Sequence, residues 1–253
     1  MHTKGLVTCM TVLGLSAAAV MADPLTPIEE LGKSIFFDQN LSKNSNQACA
    51  ACHSPETGFT GPLSDINAHG AVYEGSIAGH FGNRKPPSAA YASLSPVLHY
   101  EFEKMSRVCS GNYAVLFEEV WGSGACSESN STNYDRIALS IAAYEASDEV
   151  NPFTSKYDYY LKGMVDLTKQ ERKGLNLFKG KGKCSRCHVL DVGEDGTPPL
   201  LTDFTYDNLG VPRNPENPFY TQASVFNPQG YAWVDQGLGE FLLGRGDYQT
   251  FAD

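Results

Sequence analysis

Cys49-Ala50-Ala51-Cys52-His53 and Cys184-Ser185-Arg186-Cys187-His188 carry the same five-residue pattern, C-x-x-C-H, 135 residues apart. The pattern is the attachment signature of c-type haem. Cysteines three positions apart fall on one side of a helical turn, where each sulfur can add across one porphyrin vinyl group. The histidine that follows turns its imidazole toward the iron as the proximal ligand. Cys49, Cys52, Cys184 and Cys187 are thereby assigned as covalent anchors, and His53 and His188 as iron ligands. Zinc is the competing use of Cys-x-x-Cys pairs. The separation far exceeds that of a zinc ribbon, however, and a histidine directly follows each pair. A thioredoxin-like motif requires neither the histidine nor a second copy. Two boxes imply two haems.

Working outward, the residues ahead of the boxes also repeat. Thr26-x-x-Glu29-x-x-Gly32-x-x-Ile35-Phe36 precedes the first, and Thr168-x-x-Glu171-x-x-Gly174-x-x-Leu177-Phe178 precedes the second. Thr-x-x-Glu is a capping box, so each copy starts a helix. The helical stripe sets Leu31 and Ile35 on one face of the first, and Leu175 and Phe178 on one face of the second. Between the copies, Ile137, Ile141 and Tyr144 at helical spacing mark an amphipathic helix over 134–147, with start signals at Ser131-Thr132-Asn133 and a stop at Asn151-Pro152. The Gly-, Pro- and Asn-rich run 193–218 reads as a long irregular loop. The chain thus divides into an N-terminal haem domain (23–150), a connector (151–166) and a C-terminal haem domain (167–253). The expected fold is all-α, with two cytochrome c-like domains.

Residues 1–22 read as a signal peptide: Lys4, an apolar run from Leu6 to Val20, and a small-residue end at Ala22. The run is too short to span a membrane. The mature protein is expected in the periplasm. Of seven cysteines, one leaves with the signal and four hold haem, so Cys109 and Cys126 remain, an even remainder that suggests a disulfide in an oxidising compartment. The net charge of −10 becomes −11 without Lys4. That balance argues against nucleic-acid binding, which demands a basic face. It can steer a basic redox partner, although an acidic excess is usually a solubility feature.

Sixth ligands decide what a haem does. Beyond His53 and His188, the mature chain has His69, His80 and His99. His69, in Asn67-Ala68-His69-Gly70, lies in a loop suited to folding over the first haem, and His80 in Gly79-His80-Phe81-Gly82 is a second candidate. His99 reads as packed. No methionine or histidine follows His188; the mature methionines are Met105 and Met164, and Tyr206, Tyr220, Tyr231 and Tyr248 are the remaining ligand types.

In Leu31 to Asp38, Cys49 to Gly58, Asn83 to Ser88, Ser140 to Glu145, Thr202-Asp203-Phe204 and Asn208 to Pro212, the sequence resembles the bacterial dihaem cytochrome c peroxidases and their MauG-like relatives. The resemblance implies a periplasmic enzyme whose N-terminal haem reacts with hydrogen peroxide. The C-terminal haem would receive electrons from a small cytochrome c or copper protein. It implies that His69 is the gating distal ligand of the N-terminal haem, hence a catalytic and iron-binding residue, and that calcium binds near Asn83. It admits a homodimer. The chain departs from the family twice. The Trp-Asp-Gly-Arg segment and following glutamate are missing after Leu98, where Glu101 and Glu103 are the nearest substitutes. The chain also stops at Asp253, before the block bearing the second haem's distal ligand, so the C-terminal domain is expected to be incomplete. Three functions follow as alternatives: a peroxidase, a MauG-like oxidant of a partner protein, and a dihaem electron carrier.

Overall fold

The computed structural model describes residues 23–95, 108–206 and 210–237. The expected signal peptide, His99, Glu101, Glu103, Met105 and Tyr248 lie outside these residues. Helix α1 (Pro27–Phe36) starts where the first capping box places it. The Glu29 carboxylate accepts from the Thr26 amide at 2.6 Å and from the Thr26 hydroxyl at 2.7 Å. Leu31, Ile35 and Phe36 are fully buried on its inner face, each worth about 1.5–3 kcal/mol of transfer free energy.

That face lies against α4 (Asn130–Ala146). The crossing is tight because residue 32 is glycine: a Cβ there would sit 1.8 Å from the Ser140 carbonyl oxygen and 2.9 Å from Tyr144 Cβ. The sequence reading began α4 at Tyr134; the helix in fact begins four residues earlier. Ser129 is the cap, because its backbone is extended and its hydroxyl accepts from the Thr132 amide at 3.2 Å. At the other end, the Asn151 side-chain amide donates to the Glu145 carbonyl at 2.7 Å, covering one of the orphan acceptors of the last turn.

Helix α2 (Ser64–Ala68) is short, and α3 (Ala114–Trp121) closes the first core. Val108, Phe117, Ala125 and Ile137 join Leu31 and Ile35 there. The Cys109–Cys126 disulfide bridges the turns on either side of α3, with Cα atoms 5.4 Å apart, as the cysteine count suggested. The Trp121 indole N–H donates to Ser140 Oγ at 3.1 Å. The Tyr113 hydroxyl donates to Asp38 at 2.7 Å. A second cluster stacks Phe36, Phe59 and Tyr144 edge-to-face, with centroids 5.5–6.4 Å apart.

Helix α5 (Lys156–Leu161) occupies part of the stretch read as a connector. It has its own capping box, Ser155 with Asp158, in which the Ser155 amide donates to the carboxylate at 2.9 Å. Helix α6 (Lys169–Lys179) starts at the second Thr-x-x-Glu box, with the Glu171 amide donating to Thr168 Oγ1 at 3.2 Å. Here the copies part. Leu175 and Phe178 are only half-buried, Leu177 is 56 % exposed, and no side chain of α6 is fully buried. A Cβ at Gly174, the counterpart of Gly32, would meet open space. The physical difference is that α1 has α4 across it, whereas among the described residues no helix crosses α6. From Gly193 to Asn217 the described chain is irregular, as its composition indicated. The described residues form no sheet, only two isolated bridges, Ser54–Thr60 and Glu74–Phe81.

Candidate functional site

Each C-x-x-C-H box folds as one tight turn. In the first, Cys49–Ala51 is a single 3₁₀ turn, and the His53 amide donates back to the Cys49 carbonyl at 3.0 Å. In the second, Cys184–Arg186 does the same, entered through Lys183 with φ +58°, and the His188 amide reaches the Cys184 carbonyl at 3.0 Å. Such a turn brings positions i and i+3 to one side, which is what two thioether bonds to one porphyrin require. The four cysteines are free thiols, none of them paired with its neighbour. Burial pushes the Cys49 thiol up, with the Glu145 carboxylate adding to it, and burial alone raises Cys52.

The histidines carry the more telling geometry. His53 Nδ1 lies 3.2 Å from the Phe59 carbonyl, and His188 Nδ1 lies 2.8 Å from the Leu201 carbonyl. A carbonyl only accepts, so each contact places the proton on Nδ1 and leaves the Nε2 lone pair bare. Histidines that ligate metals are characteristically oriented in this way. Both carbonyls belong to non-glycine residues in the left-handed region, Phe59 at φ +58° and Leu201 at φ +57°, a conformation that bulky side chains rarely adopt. Phe59 is held there by burial against Phe36 and Tyr144. Sequence reasoning missed Phe59 and Leu201, because a carbonyl's direction leaves no mark on composition or spacing.

The donor set therefore fits c-type haem at both turns: free paired thiols, an imidazole with Nε2 bare, and half-buried apolar side chains alongside. Phe178 of α6 stands 6.2 Å from the His188 ring. Gln47 Nε2 donates to the Glu74 carbonyl at 2.7 Å and approaches Cys52 Sγ at 3.8 Å, bracing the first turn.

His69 caps the end of α2 with its side chain 65 % exposed. Its Nε2 lies 3.8 Å from Asp65 and its Nδ1 lies 3.7 Å from Glu216. The adjoining Gly70, at φ +113°, runs so close to residue 216 that a Cβ would meet its carbonyl oxygen at 2.6 Å. His80 lies flat on Phe226 at 4.3 Å. Nearby, Arg84 forms a fork to Asp235 at 2.6 and 2.8 Å, the Phe81 amide donates to Gln222 at 2.9 Å, and the Asn217 side chain donates to the Asn83 carbonyl at 3.0 Å. The 69–84 loop is thus fastened to residues 216–235. Of the tyrosines, Tyr220 is buried beneath the Arg213 guanidinium and stacked on Tyr231, while Tyr206 is exposed. Among the described residues no helix is long and apolar enough to cross a membrane.

Comparison with known proteins finds the family model for di-haem cytochrome c peroxidase matching residues 27–106. The methylamine utilization protein MauG of Paracoccus denitrificans is 28 % identical over 249 residues, covering 81 % of this chain and 64 % of that protein. Cytochrome c551 peroxidase of Nitrosomonas europaea is 28 % identical over 235 residues, covering 80 % of this chain and 65 % of the relative. Among solved structures, the diheme peroxidase BthA of Burkholderia thailandensis superposes with a TM-score of 0.68 at 28 % identity, over 90 % of this chain and 62 % of that one. The chain spans just under two thirds of the length of these relatives.

Proposed function

We propose that this chain, a distant homologue of the di-haem cytochrome c peroxidases and MauG proteins, is a periplasmic peroxidase. Hydrogen peroxide would be reduced at the N-terminal haem, anchored by Cys49 and Cys52 and ligated by His53. Electrons would arrive through the C-terminal haem, anchored by Cys184 and Cys187 and ligated by His188. The observation that carries the reading is the doubled arrangement of a free cysteine turn and an imidazole whose Nδ1–H is taken by a carbonyl. Bound haem supplies an iron that exchanges electrons and binds peroxide.

The chain's own residues supply the rest. The Phe59 and Leu201 carbonyls fix the tautomer and rotation of His53 and His188 and raise the basicity of each ring. Phe36, Phe59 and Tyr144 keep water from the inner side of the first turn. We assign His69 as the gating distal ligand of the N-terminal haem. In support, its side chain stands exposed beside a glycine and the imidazole makes only long contacts, to Asp65 and Glu216, so that few interactions oppose rotation of the ring while the surrounding loop stays fastened. The disulfide accords with an oxidising compartment.

A MauG-like role, oxidising a partner protein, is the second reading; the match to MauG is as high as that to the peroxidase, 28 % in each case. Stopped-flow spectroscopy separates the readings. A peroxidase loses its haem spectral response to peroxide when reduced small cytochrome or copper protein is added, and consumes both in proportion. A MauG-like enzyme responds to peroxide without consuming the small donor. Holoprotein that ignores peroxide after reduction refutes both and leaves an electron carrier.

A further inference from the structure

The chain is acidic overall, yet the residues around the second cysteine turn are not. From Lys169 to His188 there are seven basic residues, among them Lys173, Lys179, Lys181, Lys183 and Arg186, against one acidic residue, Glu171. The rest of the chain holds 12 basic and 28 acidic residues, so a segment of charge +6 sits in a molecule that is otherwise −16. All seven basic side chains are exposed. Glu171 does not dilute them, because its carboxylate is already taken by Lys156 of α5 at 2.7 Å. Among the described residues no carboxylate forms an ion pair with Lys173, Lys179, Lys181, Lys183 or Arg186, and only Arg172 approaches one, Asp166 at 3.9 Å. The acidic residues that follow, Asp191, Glu194, Asp195 and Asp203, belong to the next loop. Asp195 and Asp203 accept from the Thr197 and Thr205 amides at 2.9 and 3.0 Å rather than from the lysines.

The patch also surrounds chemistry. Cys184 and Cys187, which would hold the second haem, lie in this segment and are exposed. Leu177, 56 % exposed, supplies apolar surface in the same segment. A small, partly apolar contact ringed by charge suits a transient redox complex rather than a permanent one.

We infer that the basic face from Lys173 to Arg186 is the docking surface for a small redox protein that presents acidic residues around its own electron-transfer site. This rests on the proposal that electrons arrive at the C-terminal haem. The field decides the sign. An acidic partner is repelled by the net charge of the molecule and attracted by this segment, which favours encounter and orientation there. A basic partner would be drawn elsewhere and turned away from the second haem.

The test uses holoprotein carrying both haems, with reduced plastocyanin as an acidic-faced copper protein and a lysine-ringed mitochondrial-type cytochrome c as its opposite. Binding is followed by NMR shift perturbation without peroxide, from about 10 to about 200 mM salt, a range over which surface attraction is progressively screened. Reduction of the second haem is followed by stopped flow. Plastocyanin association is expected to fall about tenfold or more across that range, and by a similar factor at low salt in Lys173→Glu/Lys179→Glu/Lys181→Glu. These positions avoid Lys183, whose left-handed backbone would complicate folding. Binding of plastocyanin that is absent, or unchanged in the variant, overturns the inference. So does preference for the lysine-ringed cytochrome, or patch-dependent binding of phosphatidylglycerol vesicles without plastocyanin association. Salt-sensitive docking in protein that fails to turn over peroxide upholds the docking surface and sinks the peroxidase reading instead.

Discussion

Gly32 and Gly174 hold the same place in two copies of one motif, and alanine at each should have opposite effects. At Gly32 the new methyl would lie 1.8 Å from the Ser140 carbonyl oxygen. The closest ordinary carbon–oxygen approach is about 3.3 Å, so α1 and α4 would have to separate by roughly 1.5 Å. The obstacle is helix backbone, which no rotamer change can move. Separation loosens Leu31, Ile35, Ile137 and Tyr144, all fully buried. Overpacking of this kind costs about 1–3 kcal/mol, and removing a helical glycine returns about 0.5–1 kcal/mol. A net loss of about 1 kcal/mol, and at most about 2.5, follows at Gly32. At Gly174 no atom outside its own helix turn lies within 4 Å of the added methyl, so only the helix gain of about 0.5–1 kcal/mol remains. Urea denaturation of the holoprotein, followed by far-ultraviolet circular dichroism and by the Soret band, measures both through the midpoint at unchanged slope. Similar shifts from the two substitutions would mean that α6 is covered as closely as α1, contrary to the open space around Gly174.

Replacing both Cys109 and Cys126 by alanine opens a loop of 17 residues and should cost about 3 kcal/mol in the same denaturation assay. Tyr113→Phe removes the hydroxyl that donates to Asp38 and should cost about 1 kcal/mol. The Arg84 guanidinium, foremost among several hydrogen bonds, holds Asp235 below the usual carboxylate range. A depressed folded-state value means stability that is present above the unfolded value, about 3.9, and lost as pH falls through the lower folded one. Both side chains are more than a third exposed, so the pair contributes only about 0.2–1 kcal/mol. Asp235→Asn should therefore be less stable than the parent at neutral pH and indistinguishable from it near pH 2, as read by thermal unfolding at a series of pH values.

What could be read from the chain was local. Thr26, Glu29, Thr168 and Glu171 announce two helix starts because a capping box closes within four residues. The cysteine turns are equally self-contained. The start of α4 was misplaced because Ser129, Ser131 and Thr132 are chemically similar caps, and only backbone conformation selects the first. Helix α5 was passed over although Ser155-x-x-Asp158 offers the same signal in weaker form. The fastening of residues 69–84 to residues 216–235 left no trace, since Arg84 and Asp235 stand 151 positions apart and nothing near either one specifies the other. The carbonyls that orient His53 and His188 were hidden for a different reason: they depend on left-handed backbone at Phe59 and Leu201, imposed by surrounding contacts.

Intact-mass spectrometry of the exported protein, unfolded in acidified acetone, addresses the foundation of this account. Polypeptide heavier than its sequence by two haem groups, with one group lost when Cys49 and Cys52 become alanine and the other when Cys184 and Cys187 do, is the result expected. Polypeptide at its bare sequence mass, from cells competent in cytochrome c maturation, would contradict it.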